Sequence, residues 1–95
     1  MNPAPTPTIT FRARIASPPK LGFFSRTSYV TCDVVDVTLP GFASGVLYAG
    51  HRQAMAELLW IGVDSSILIE GERHDDVNLV ARRVVTIARE KVAGL

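Results

Sequence analysis

The chain is poor in cysteine, in charge of one sign and in long apolar runs. Its single cysteine, Cys32, cannot form an internal disulfide or build a thiolate cage for a metal. Ten Lys and Arg against nine Asp and Glu give a formal net charge of +1, which excludes a strongly basic polyelectrolyte binder. No apolar stretch reaches membrane-spanning length, and no basic segment followed by an apolar run marks a signal peptide. We therefore expect a protein of the reducing cytoplasm with no membrane partner.

Residue patterns that carry catalysis are equally scarce. His51 and His74 lie far apart and show no metal-ligand spacing with each other or with Cys32. His74-Asp75-Asp76 is typical of a turn, and Ser65-Ser66 has no recognisable nucleophile context. No glycine-rich phosphate loop is present. We expect no catalytic residue, no metal and no cofactor, and we interpret the chain as a protein that is not an enzyme.

The remaining composition is that of one small globular domain. Hydrophobic residues make up 47% of the 95 residues and charged residues 20%, which excludes a disordered chain. Residues 1–8 carry Pro3, Pro5 and Pro7, so we predict a loose, extended arm there and one domain over residues 9–95.

Hydrophobic periodicity predicts a mainly β protein. Ile9, Phe11, Ala13 and Ile15 alternate with polar residues, and Pro18-Pro19 ends this first strand. Residues 21–26 are interpreted as a connector. The spacing of Ala54 to Leu59 predicts a single short helix within residues 52–61. The other predicted strands are residues 27–37, 46–50, 65–73 and 77–90.

The order strand, strand, strand, helix, strand, strand predicts a five-stranded Greek-key barrel, the OB-fold, with the helix between strands three and four. Gly50 and Gly71 would then bend strands at barrel corners. Trp60, at the end of an apolar helix, is expected in the core. The other residues expected to be buried are Phe11, Ile15, Val30, Cys32, Val34, Leu58, Ile67, Ile69, Leu79 and Ile87.

The stretch "VLYAGHRQAMAELLWIGVDSSILIEGE", residues 46–72, resembles the middle of bacterial single-stranded DNA-binding proteins and the related primosomal protein PriB. In that family a strand ends in glycine, as at Gly50, and a helix and a strand ending in Glu-Gly, as in residues 67–71, follow. The resemblance implies an OB-fold, single-stranded DNA as ligand and a homodimer or homotetramer. It also implies stacking aromatics flanking strand three, where it places Ala43 and Ala49 in this chain, and in the last hairpin, which has none here.

An OB barrel that binds single strands needs cations for phosphates and flat side chains for bases. Tyr48 can either pack or stack, and Phe42 is a further candidate for contact with a base. A solvated face or an oligomer contact is the alternative reading of the basic residues. The predicted nucleic-acid-binding residues are Arg12, Arg14, Lys20, Phe23, Phe24, Arg26, Tyr29 and Tyr48.

We therefore predict a non-enzymatic protein that binds single-stranded DNA in replication, repair or transfer of DNA, with replication proteins as further partners. RNA is the alternative nucleic acid. The rival hypothesis is an OB-type protein-interaction module that kept the barrel and lost nucleic-acid binding, which a near-neutral charge would suit.

Overall fold

The structure, a computed structural model, describes residues 8–88 as six strands and one helix. The one helix within these residues is too short to cross a membrane. The elements in chain order are β1 (Ile9–Ile15), β2 (Lys20–Phe24), β3 (Thr27–Val35), β4 (Gly45–Ala49), α1 (Arg52–Leu59), β5 (Ser66–Arg73) and β6 (Asn78–Ala88).

Five of the strands close a barrel. The sheet order is β1-β5-β6-β4-β3-β2, and β1 also pairs with β3, which joins the two sides. All neighbouring strands are antiparallel except β4 and β6, which run parallel because α1 and β5 intervene between them. The β1–β3 pairing closes the ring, and β2 lies outside it, paired with β3 alone. This topology with one short helix before β5 is that of an OB-fold, as the sequence predicted.

The barrel interior holds the core, because side chains alternate along each strand. Phe11, Ala13 and Ile15 on β1 are buried, whereas Arg12 and Arg14 between them are exposed. All residues expected in the core are buried except two. Ile87 is 47% exposed and Trp60 is 81% exposed, so these two predictions were wrong. Ile87 points out of β6, and Trp60 lies just beyond the helix on its solvent side.

Helix α1 closes one end of the barrel and falls within the predicted range. It buries Ala54 and Leu58, four residues apart and therefore on one face. Its polar residues tie it to β6. The Gln53 amide donates to the Val84 carbonyl at 2.7 Å and accepts from the Val84 N–H at 2.9 Å. These bonds fix the helix against β6.

Gly71 is a barrel corner, as predicted. The register of β5 and β6 shifts between Glu70 and Gly71, and a β-carbon at Gly71 would collide with the backbone carbonyl of Val80. Only glycine allows two backbones to approach this closely. The structure gives Gly50 no such requirement, because a β-carbon there would meet nothing within 4 Å.

The interpretation of residues 21–26 as a connector was wrong. Lys20–Phe24 forms β2, which pairs with β3 over five residue pairs. Ser25 and Arg26 form the two-residue turn, and both have positive φ, 48° and 69°. A turn of two left-handed residues matches the twist of a β-hairpin. Residues 1–7 of the predicted arm lie outside the described residues, as do those after Ala88.

Candidate nucleic-acid interface

Side chains on the outer face of β2, β3, β4 and β6 form a shallow groove with Tyr48 at its centre. Tyr48 pairs with Thr31 on one side and with Val80 on the other. The same row continues to Lys20 on β2 and Glu72 on β5. We call this surface the groove.

Two depressions lie on either side of the Tyr48 ring and share it. One, of about 590 Å³, lies beside the β2–β3 hairpin and is lined by Phe24, Ser25, Thr27, Tyr29 and Tyr48. The other, of about 410 Å³, lies beside the β5–β6 hairpin and is lined by Tyr48, His74, Asp75, Asn78 and Val80. The groove therefore runs from one hairpin to the other across the middle of β4.

Two tyrosines form the floor of the groove. The ring centroids of Tyr29 and Tyr48 lie 6.3 Å apart, and the ring planes are inclined at 45°. Tyr48 is 39% exposed, so part of its ring is open to a ligand. Flat, partly exposed rings of this kind accept nucleobases by stacking.

The two adjacent phenylalanines are separated by the alternation of β2. Phe24 and Phe23 are 76% and 72% exposed, and they point to opposite faces of the hairpin. Phe24 shares the groove with Tyr29, whereas Phe23 lies on the other face, opposite Ser28. The structure thus brings Phe24, Tyr29 and Tyr48 together and leaves Phe23 outside that group.

The β5–β6 wall of the groove is held by Asp75. Its carboxylate accepts hydrogen bonds from the Val77 and Asn78 backbone N–H groups at 2.9 and 2.8 Å and from the Asn78 amide. The Asn78 side chain, followed by the Val77 N–H, lowers the pKa of Asp75 from its ordinary value of 3.8. The carboxylate is fully exposed and stays charged, so this wall of the groove is acidic.

The predicted cations divide between two surfaces. Lys20 lies in the Tyr48 row and Arg26 lies in the hairpin turn beside Ser25. Among the described residues, neither of them forms a salt bridge. Lys20 and Arg26 therefore place two positive charges on the β2–β3 hairpin, at one side of the groove.

Arg12 and Arg14 lie on the outer face of β1, away from the aromatic rings. Val35, the partner of Arg14 on β3, is six residues from Tyr29, or about 20 Å along the strand. The Arg14 guanidinium contacts Asp36 at 2.9 Å and Asp64 at 3.8 Å. Since two carboxylates balance its charge, Arg14 offers less to a phosphate than an unpaired arginine does.

The two alanines that the family resemblance places at strand three lie in different environments. Ala49 is fully buried inside the barrel and cannot contact a base, whereas Ala43 is exposed and precedes β4. Tyr48 points outward from β4, so an aromatic is present in the middle of the groove. Phe42, the other aromatic considered, is 3% exposed and belongs to the core.

Sequence reasoning missed the residues that β6 adds to the groove. Asn78 and Val80 reach Tyr48 through the parallel pairing of β4 with β6, strands that are separated along the chain by a helix and a hairpin. A long-range parallel contact leaves no local pattern in the sequence, so only the OB topology could have indicated it.

The described residues hold no group of three or more potential metal ligands. Cys32 is buried inside the barrel, as predicted. Burial raises the pKa of its thiol to about 12, with a further contribution from the neighbouring Asp33 carboxylate. A neutral, enclosed thiol is unreactive at physiological pH.

Comparison with known proteins identifies the fold. No protein-family model matches the chain, and no curated protein matches it. Two crystal structures of the mitochondrial single-stranded DNA-binding protein Rim1 from S. cerevisiae are similar to it. The first, of selenomethionine-labelled protein, superposes with a TM-score of 0.71 at 10% identity over 92% of this chain and 100% of the other. The second gives 0.64 at 9% identity over 88% and 96%. At this identity the similarity shows the fold.

Proposed function

We propose that this protein binds single-stranded DNA in the groove and does so without catalysing a reaction. The observation that carries the proposal is the grouping of Phe24, Tyr29 and Tyr48 on one face, with the cations Lys20 and Arg26 on the same β2–β3 hairpin. The structural similarity to Rim1, which is named as a mitochondrial single-stranded DNA-binding protein, supports it.

The chemistry of the groove suits a single strand better than a duplex. Unpaired bases expose their ring faces, and each base stacked on an aromatic side chain contributes about 1–3 kcal/mol. Stacking tolerates any base, so binding should depend little on sequence. Lys20 and Arg26 would neutralise phosphates at one end, whereas the acidic Asp75 wall would repel them at the other. The phosphate backbone should therefore follow the β2–β3 side of the groove.

Affinity should be modest and only weakly dependent on salt. Each phosphate neutralised on a single strand contributes a slope of about −0.7 to the dependence of log K on log salt concentration. With two cations, Lys20 and Arg26, on the β2–β3 side of the groove, we expect a slope of about −1.4. Fluorescence anisotropy of a labelled oligo-dT at several salt concentrations measures both quantities.

Variants separate the two contributions to binding. Tyr48→Ala should weaken binding by about 1–3 kcal/mol with little change in the salt slope. Arg26→Ala should lower the slope by about 0.7. Arg14→Ala is the matched control, because Asp36 and Asp64 already balance that charge, and its slope should stay closest to that of the unmodified protein.

A protein-interaction module remains the second candidate function, and one observation favours it. Phe23, Leu59 and Trp60 are 72%, 47% and 81% exposed and lie outside the groove. Adjacent exposed apolar residues are typical of protein interfaces, and Leu59 and Trp60 are neighbours at the end of α1. If the unmodified protein fails to bind a long oligonucleotide at low salt, the DNA proposal is wrong and this candidate replaces it.

We further propose that the protein acts in DNA replication, repair or transfer in the cytoplasm, and that it assembles as a homodimer or homotetramer. The small core and the exposed Val85 and Ile87 on the outer face of β6 support self-association. Light scattering at tens of micromolar protein tests the self-association. A monomer at that concentration would mean an association free energy weaker than about −6 to −7 kcal/mol, which would contradict the proposal.

A further inference from the structure

Gly22 lies directly beneath the Tyr29 ring. The two residues face each other across the β2–β3 hairpin. A β-carbon placed on Gly22 would stand 2.6 Å from Tyr29 Cζ, 2.8 Å from Cε2 and 2.8 Å from the hydroxyl oxygen. All three distances are shorter than nonbonded carbon contacts allow. The phenol end of Tyr29 therefore occupies space that exists only because residue 22 has no side chain.

This contact determines where the Tyr29 ring lies in the groove. The ring rests against the β2 backbone at Gly22, and the 590 Å³ depression lies between it, Phe24 and Tyr48. A ring pushed away from Gly22 would change rotamer, and we expect it to enter the depression that adjoins it. It would then occupy the space in which a base could stack.

We propose that Gly22 is a positioning residue of the single-stranded DNA site. By leaving room for the Tyr29 ring against β2, it keeps the hairpin end of the groove open and presents the outer face of the ring to a base. This inference rests on the proposed function and adds a residue that does not itself contact the ligand.

Substitution of Gly22 should alter the ring and not the fold. At Gly45 and Gly71 a β-carbon would meet the backbone carbonyls of Val77 and Val80, which cannot rotate away. At Gly22 the nearest atoms belong to the far end of a side chain that can change rotamer. Gly22 also has no positive φ, and alanine favours a strand more than glycine does. Gly22→Ala should therefore keep or raise the thermal midpoint.

The test is a double-mutant cycle on binding. Unmodified protein, Gly22→Ala, Tyr29→Ala and the double variant are titrated against a fluorescein-labelled oligo-dT of about 30 nucleotides, longer than the site of one OB-fold. Gly22→Ala should weaken binding by about threefold or more, approaching the roughly fivefold minimum for a lost stack. In the Tyr29→Ala background the same change should have less than about half that effect on binding free energy. Gly62→Ala, where a β-carbon meets nothing within 4 Å, is the control.

A second measurement reports the ring position without any ligand. In NMR spectra the ring current of Tyr29 should displace the chemical shifts of the Gly22 α-protons from their ordinary values. This displacement should vanish in Tyr29→Ala. The inference is overturned if no such displacement exists, if Gly22→Ala unfolds the protein, or if Gly22→Ala binds within about threefold of the unmodified protein. It is also overturned if the loss persists in the Tyr29→Ala background, because the glycine would then act by another route.

The outcomes distinguish this inference from the proposed function. If the unmodified protein does not bind the oligonucleotide at low salt, the proposed function fails and the inference fails with it. If the unmodified protein binds and Tyr48→Ala weakens binding while Gly22→Ala does not, the proposed function stands and only the role of Gly22 is refuted.

Discussion

Leu58 and Leu59 offer a direct test of the barrel, because two adjacent leucines on one helix have opposite environments. Leu58 is fully buried against the barrel core, whereas Leu59 is 47% exposed. Truncating a buried leucine removes its transfer free energy and leaves a cavity, which together cost about 2–5 kcal/mol. We therefore expect Leu58→Ala to lower the free energy of unfolding by that amount and Leu59→Ala to lower it by less than about 1 kcal/mol.

Both variants make the same change of residue in the same helix, so helix propensity cancels in the comparison. For a domain of this size, 1 kcal/mol corresponds to about 4–8 °C in thermal midpoint, so Leu58→Ala should melt about 8 °C or more below the unmodified protein. Urea denaturation followed by far-UV circular dichroism gives the free energies. Equal losses for the two variants would show that α1 does not seal the barrel through Leu58, and the description of the core would be wrong.

Three further predictions follow from single contacts. Gly71→Ala should destabilise the protein by about 1 kcal/mol or more, because its β-carbon would meet a backbone carbonyl. A urea midpoint equal to that of Gly62→Ala would refute this prediction. Cys32, with its pKa raised to about 12, should resist a thiol reagent near pH 8 in the native protein and react fully in urea; rapid native labelling would contradict this. Because the pKa of Asp75 is lowered, its carboxylate stabilises the hairpin above its unfolded pKa, and that stability is lost as pH falls through the folded value. The pH titration of the Val77 amide resonance should therefore be centred below the ordinary aspartate value of 3.8, and a transition centred at or above that value would refute the assignment.

The barrel could be predicted from the sequence because its pattern is local. Strict alternation in β1, the change to helical spacing after Gly50 and the glycine at the β5–β6 corner each report on a few neighbouring residues. The burial of Phe11 and Ile69 follows from the same alternation. Ile87 fails this reading because two consecutive exposed residues, at 82 and 83, interrupt the alternation of β6.

The hairpin of β2 and β3 could not be predicted for a physical reason. Its turn is Ser25-Arg26, and both residues adopt a left-handed conformation that normally selects glycine or asparagine. Without those residues the sequence carries no turn signal. The consequence for the site is large, since the hairpin positions Phe24 and fixes Tyr29 against Gly22.

The groove could be predicted only in part. The resemblance to single-stranded DNA-binding proteins, together with strand position, indicates Tyr29 and Tyr48 as candidate stacking residues. Their proximity depends on the register of β3 against β4, which the sequence does not specify to one residue. The residues that β6 contributes depend on barrel closure and were not foreseen.

The central claim is that single-stranded DNA occupies the groove, and chemical-shift mapping tests it most directly. Oligo-dT titrated into ¹⁵N-labelled protein should shift the amide resonances of Thr27, Tyr29, Tyr48 and Asn78, which span both depressions. The outer face of β1 and β5 around Arg12 should change little. Shifts concentrated around Arg12 with the groove unchanged, or no shifts at low salt, would contradict the account.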